Sequence, residues 1–103
     1  MLTLKDIASA HERICSYIHR TPVLTNNSLN ELTGANLFFK CENFQKAGSF
    51  KIRGATNTVE LLSQGEMDKG VATTSSGNHA AAISKPVTRR GGKTKLRMPH
   101  KTP

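Results

Sequence analysis

Two short segments carry residue types that could do chemistry together. The first is Gly48-Ser49-Phe50-Lys51-Ile52-Arg53-Gly54-Ala55, where a lysine follows a ring and a glycine-serine turn and opens an apolar periodic stretch. The second is Thr74-Ser75-Ser76-Gly77-Asn78-His79-Ala80, which follows about a helix and a strand later. A lysine amine condenses with carbonyl compounds, and a run of hydroxyls and backbone N–H groups ahead of a helix closes around a carboxylate or phosphate. The pair therefore reads as a carbonyl cofactor held by Lys51 beside a polar cup for an anion.

Each segment also has a plainer reading. A free lysine titrates near 10.4 and is mostly protonated at neutral pH, so nucleophilic use requires burial or a cationic neighbour. Arg53 supplies positive charge nearby in sequence, Phe50 could wall off water, and a helix N-terminus disfavours the ammonium while welcoming an anion. Without those effects Lys51 is a surface lysine on a first helical turn. Ser75, Ser76 and Gly77 are equally the residues of an ordinary helix cap, Asn78 both donates and accepts, and His79 is either structural or a proton relay.

The elements that must position these segments follow from caps and periodicity. Over Thr3 to Ile18, Ile7, Ile14 and Ile18 share one stripe, and Thr3 with Asp6 has capping-box spacing, so an amphipathic helix is expected. Pro22 breaks helicity, Ser28 with Glu31 repeats the capping-box spacing, and Gly34 ends a short helix. Leu37 to Cys41 reads as a strand. Ser49 is the expected cap of a helix with Ala55, Val59 and Leu62 on its apolar face and Gly65 just past its end. Val71 to Thr74 reads as a second strand, and Asn78 to Ser84 opens a helix that Pro86 should stop or kink. Strand, helix, strand, helix argues for a parallel sheet with crossovers, in which ligands sit outside the carboxyl ends of the strands. The Ser75–His79 loop leaves a strand at such an end.

Composition sets outer limits. At 103 residues with 36% hydrophobic residues, four Phe, one Tyr and no Trp, the chain can bury a modest core and fits one domain or part of one. The formal net charge of +8 is uneven: residues 1–84 carry +1 and residues 85–103 carry +7 with no acidic residue. Such a tail binds phosphate backbones or stays solvated, and it lacks aromatic residues on which bases would stack. Nucleic-acid binding is thus the less favoured reading. Cys15 and Cys41 have no metal spacing, no export signal is visible, and no apolar run approaches the roughly 20 residues of a membrane span. A cytoplasmic location is the default expectation.

Taken in order, Gly48 to Ala55 and Ser75 to Ala80 closely resemble the serine/threonine dehydratase and serine racemase family of fold-type II pyridoxal-phosphate enzymes. Arg20-Thr21-Pro22-Val23-Leu24 and the stretch from Leu37 to Lys46 share the resemblance, which covers most of residues 4–84. It implies an α/β fold, a partial three-layer αβα parallel-sheet lobe that is truncated relative to full-length members. It implies pyridoxal 5'-phosphate as cofactor, with Lys51 forming the internal Schiff base and moving the substrate α-proton. Phe50 would pack beside the ring and Asn78 would hydrogen-bond its oxygen. Ser75, Ser76, Gly77, Asn78 and His79 would grip the substrate carboxylate, and Ser76 matches the opposite-face acid/base of racemising members. The implied reaction takes serine or threonine to a 2-oxo acid and ammonia, or racemises serine.

The family's phosphate-cradling loop and pyridine-nitrogen partner fall beyond residue 103. Residues 1–84 read as the N-terminal part of the dehydratase-like domain and 85–103 as a divergent basic tail, with Lys85-Pro86-Val87 where helix is expected and Thr94-Lys95-Leu96-Arg97 where an apolar strand is expected. Three readings remain open: an enzyme completed by a segment supplied elsewhere, a non-catalytic remnant or subunit pairing with a full-length relative or with itself, and a basic tail that binds nucleic acid.

Overall fold

A computed structural model of the chain describes residues 1–100. Helix α1 spans Leu4–Ile14 and is capped as its sequence requires: the Asp6 amide donates to the Thr3 hydroxyl, and the Asp6 carboxylate accepts from the Thr3 amide at 2.8 Å. The Thr3 hydroxyl, which donates to the Asp6 carboxylate at 2.6 Å, and then the Thr3 amide hold the Asp6 carboxyl below its ordinary range. Of the expected stripe, Ile14 is buried and Ile18 packs on the core edge, whereas Ile7 faces solvent. Strand β1 (Val23–Leu24) leads into helix α2 (Asn27–Thr33), then strand β2 (Phe39–Lys40). Asn26, not Ser28, caps α2: its side chain accepts from the Leu29 amide at 2.9 Å. Gly34 closes the helix as expected, at φ 67°, a conformation that costs a residue with a Cβ.

Helix α3 (Lys51–Leu61) buries Ile52, Ala55, Thr56 and Val59 along one face. Ser49 does not cap it. The residue preceding the helix is Phe50, already in helical conformation, and the Ser49 hydroxyl is buried without a hydrogen-bond partner among the described residues. Gly65 is likewise no terminator, because the chain turns extended at Leu62 and Ser63 starts a new helix, α4 (Gln64–Asp68), through a reciprocal capping box with Glu66. Gly65 lies inside that helix, whose Met67 is driven into the core.

Strand β3 (Val71–Thr74) lies where expected, followed by helix α5 (Asn78–Arg89) and strand β4 (Thr94–Arg97). The expected parallel pairing is found between β3 and β4, with Val71 opposite Thr94 and Thr74 opposite Arg97. Strand β2 pairs instead with β1, antiparallel, in a separate two-stranded sheet. Helix α5 continues through Pro86. Proline removes one helix hydrogen bond, at a cost of about 3 kcal/mol in an exposed helix, but Ala82, Ile83 and Val87 on either side are buried in the core and hold both turns in place. Strand β4 resolves the difficulty of its alternating cations in a similar way. It pairs along one edge only, and Lys95 and Arg97 stay in solvent, as charged residues on edge strands usually do.

One cluster of Ile52, Ala55, Val59, Met67, Ala82, Ile83 and Val87 joins α3, α4 and α5. Arg89 pairs with Glu60 and lies 3.6 Å from the centre of the Tyr17 ring, while the Arg90 guanidinium donates to the carbonyls of Val59 and Leu62. Two cations of the basic segment thus fasten the C-terminal ends of α3 and α5 together.

Candidate functional site

The Lys51 turn is built from a short, constrained loop. Gln45 is 4% exposed and uses its whole side-chain amide: Oε1 accepts from the amides of His19 at 2.8 Å and Lys46 at 2.9 Å, and Nε2 donates to the His19 carbonyl at 2.7 Å. Ala47 follows at φ 63°, a left-handed conformation that non-glycine residues seldom adopt, and the Gly48 amide closes the turn on the Gln45 carbonyl at 2.8 Å. Phe50 and Lys51 emerge exposed, with the Lys51 ammonium 5.0 Å from the Phe50 ring centre. The chain thus presents an accessible amine beside a ring, directly above the buried Ile52.

Arg53 does not serve Lys51 as the sequence suggested. Its guanidinium is turned to Glu42, Nε at 2.9 Å and Nη2 at 2.8 Å from the two carboxylate oxygens, and the Thr21 hydroxyl donates to the same carboxylate at 2.5 Å. A bidentate pair of this kind is strong and directional. It holds the Glu42 carboxyl down to about 2 from its ordinary 4.5, with the Arg53 hydrogen bonds as the main cause, burial opposing and Thr21 assisting. The Arg53 guanidinium is raised correspondingly.

A pH dependence follows. Glu42 is depressed in the folded chain, so between about 4.5 and about 2 the unfolded state binds the proton that the folded state refuses. Its contribution to stability is complete above that window and disappears as the pH falls through it. Acid unfolding followed by circular dichroism should show stability declining across the window in the parent chain and a flatter slope in Glu42→Gln. Equal slopes would remove the pair from the acid response.

The second segment leaves β3 with the Ser75 amide bonded to the Arg97 carbonyl at 3.1 Å, so β4 anchors the loop. The Gly77 amide donates to the Ser75 hydroxyl at 3.3 Å, and Gly77 has no side chain to cap α5. Ser76, Gly77, Asn78 and His79 are exposed around this open helix start. An uncapped N-terminus of a twelve-residue helix carries unpaired N–H groups and the positive end of the helix dipole, an arrangement suited to a carboxylate.

The structure sets the expected residues, Phe50, Lys51, Ser75, Ser76, Gly77, Asn78 and His79, at the heads of two helices, α3 and α5, that pack in one core. Glu42, Gln45 and Thr21 were missed by sequence reasoning. Only the acid-to-arginine separation of Glu42 and Arg53 hinted at them, and nothing local tells that these side chains meet. An open cleft of about 480 Å³, with Tyr17, Ile52, Thr56, Ser84, Pro86 and Arg89 in its wall, includes none of the expected site residues. Among the described residues there is no cluster suited to a metal ion, and no helix is long and apolar enough to cross a membrane.

An α/β arrangement with small sheets, a lysine at one helix head and a hydroxyl-rich loop at the next, defines a class: the fold-type II pyridoxal-phosphate enzymes. Residues 14–103 match the family described as pyridoxal-phosphate dependent enzyme, and the chain belongs to that family. It is 61% identical over 83 residues to a serine racemase of Dictyostelium discoideum, covering 81% of this chain and 26% of that protein. It is 54% identical over 101 residues to the beta-hydroxyaspartate dehydratase of Paracoccus denitrificans (strain Pd 1222), covering 98% of this chain and 32% of the relative. Among solved structures, the Dictyostelium discoideum serine racemase superposes with a TM-score of 0.93 at 54% identity, over 99% of this chain and 34% of the other. A T.th. threonine deaminase gives 0.80 at 36% identity, over 94% and 38%. The chain thus spans roughly a quarter to a third of the length of the curated relatives it matches. The family is pyridoxal-phosphate dependent.

Proposed function

We propose that this chain carries the lysine and carboxylate-gripping part of a pyridoxal-phosphate site that acts on a small hydroxy amino acid, serine or threonine, by dehydration to a 2-oxo acid and ammonia or by racemisation. The observation that carries the reading is the placement of Lys51 and of the Ser75–His79 loop at the heads of α3 and α5, two helices that share one buried cluster. The named relatives and neighbours support the substrate class, since serine, threonine and beta-hydroxyaspartate all carry a hydroxyl on the β-carbon.

The residues present fit the cofactor on its aldehyde side. Lys51 offers an exposed amine for the aldehyde, Phe50 a ring to lie beside, and Asn78 an amide for the ring oxygen. The buried, unpartnered hydroxyl of Ser49, two residues before Lys51, is a polar atom that a bound group could satisfy. When bound, the cofactor supplies an electron sink for the pair left at the substrate α-carbon.

The chain's own residues do the rest. The loop of Ser75, Ser76, Gly77, Asn78 and His79 binds the carboxylate through its two serine hydroxyls and the open N–H groups at the start of α5, and orients the α-hydrogen. The Lys51 amine accepts and returns the α-proton from one face, and the Ser76 hydroxyl holds a proton at the other. Loss of the β-hydroxyl leads to the 2-oxo acid and ammonia, whereas proton return at the Ser76 face inverts the centre. The remaining part of the site comes from sequence beyond this chain, in a longer protein or a partner related to it, and a cytoplasmic setting accords with this metabolism.

The test is borohydride trapping of pyridoxal phosphate on the purified chain, read by peptide mass mapping. Lys51 should be labelled well ahead of Lys93 and Lys95, and Lys51→Ala should lose that label alone. Uniform labelling of all lysines would sink the reading.

A further inference from the structure

We propose that Gln45, Glu42, Arg53 and Thr21 form a two-sided clamp that fixes the Phe50-Lys51 turn against the segment His19–Thr21, and that these four act as positioning residues for the Lys51 amine. The proposal rests on the cofactor reading above for its chemistry and on independent geometry for the clamp.

One jaw precedes the turn. Gln45 is buried and holds His19 by both its amide and its carbonyl, at 2.8 and 2.7 Å, while the same Oε1 takes the Lys46 amide at 2.9 Å. A side-chain amide that replaces a strand partner in this way ties two backbone segments twenty-six residues apart. The other jaw follows the turn. Arg53, two residues past Lys51, holds both oxygens of Glu42, and Glu42 takes the hydroxyl of Thr21, itself 5% exposed. Both jaws close on the same short stretch, His19 and Thr21, so the residues between them cannot shift as a unit without breaking one set of bonds.

The loop between the jaws is the kind that needs such restraint. Ala47 sits at φ 63°, and a non-glycine residue keeps that conformation where its surroundings determine it. No side-chain cap holds the start of α3, whose first bond is the Arg53 amide to the Phe50 carbonyl at 3.1 Å. Lys51 is solvent-exposed, so its direction is set by the backbone beneath it and not by packing of its own side chain. Freed from the clamp, the turn would let the amine sample many positions, and effective concentration at a fixed target falls when geometry is lost.

Variants Gln45→Ala, Glu42→Gln, Thr21→Val and Thr21→Ser of the 103-residue chain are compared with the parent in two ways: hydrogen exchange at the amides of residues 46–53, and borohydride trapping of pyridoxal phosphate mapped by lysine. In Gln45→Ala and Glu42→Gln, exchange at 46–53 should accelerate by about ten-fold or more, the scale expected for loss of charge-assisted or buried bonds, with amides of Val59 and Val87 moving far less. The preference of trapping for Lys51 over Lys93 should fall by a similar factor. Thr21→Val should weaken both readouts, and Thr21→Ser, which keeps the hydroxyl, should restore them. A merely structural role would speed all core amides together, Val59 and Val87 included, and leave the preference of trapping for Lys51 unmoved, overturning the proposal. Should the parent trap without preference for Lys51, the cofactor reading fails, and the clamp is then judged on exchange alone: unchanged protection at 46–53 in Gln45→Ala and Glu42→Gln overturns it.

Discussion

Ile52→Ala should lower the stability of this chain by about 2–5 kcal/mol, the range for truncating a buried aliphatic side chain. Ile52 is 2% exposed and follows Lys51 directly, so it anchors the first turn of α3 into the cluster shared with Ala82, Ile83 and Val87. A domain of this size holds about 5–15 kcal/mol in all, and the core is small, so the loss removes a large share. Urea unfolding followed by circular dichroism measures it, and lysine mapping after borohydride reduction should show the preference for Lys51 declining in step. A melting curve within about 0.5 kcal/mol of the parent, the scale of neutral surface changes, would mean that the α3–α5 contact is not what holds the site's base.

Met67→Ala should cost a similar amount, about 2–5 kcal/mol, since Met67 is 1% exposed and reaches from the short α4 into the same cluster. Here a second site makes the test sharper. A methyl group added at Gly92 would meet the Met67 Cε at 2.5 Å and Val87 Cγ1 at 3.0 Å, so Gly92→Ala alone should overpack the core by about 1–3 kcal/mol. In Met67→Ala the space left behind accepts that methyl. The double variant should therefore be more stable than the sum of the two single losses by at least about 0.5 kcal/mol. Strict additivity would show that the two positions do not share the cavity.

Local signals carried much of the architecture. The Thr3-Asp6 pair, Gly34 and the Val71–Thr74 run act within a few residues, and each does in the structure what its sequence implies. Where local signals competed or misled, the outcome had two different causes. Asn26 displaced Ser28 as a cap because the helix already begins at Asn27, ahead of where the capping-box spacing of Ser28 and Glu31 would start it. Proline at 86 is a helix breaker only where nothing else holds the turns on either side, and here Ala82, Ile83 and Val87 do.

By itself the sequence determined which groups could do chemistry: an amine after a glycine-serine turn, and a hydroxyl-rich loop between a strand and a helix. Those depend on residue identity and near spacing alone. Only the tertiary structure decided that Arg53 faces Glu42 and not Lys51, that Gln45 ties the Lys51 turn to His19, and that Arg89 and Arg90 fasten the C-terminal ends of α3 and α5 together. These pairings join residues eleven to thirty-one positions apart. Contacts at that separation are set by how the helices pack around one small core, which no short stretch of sequence encodes.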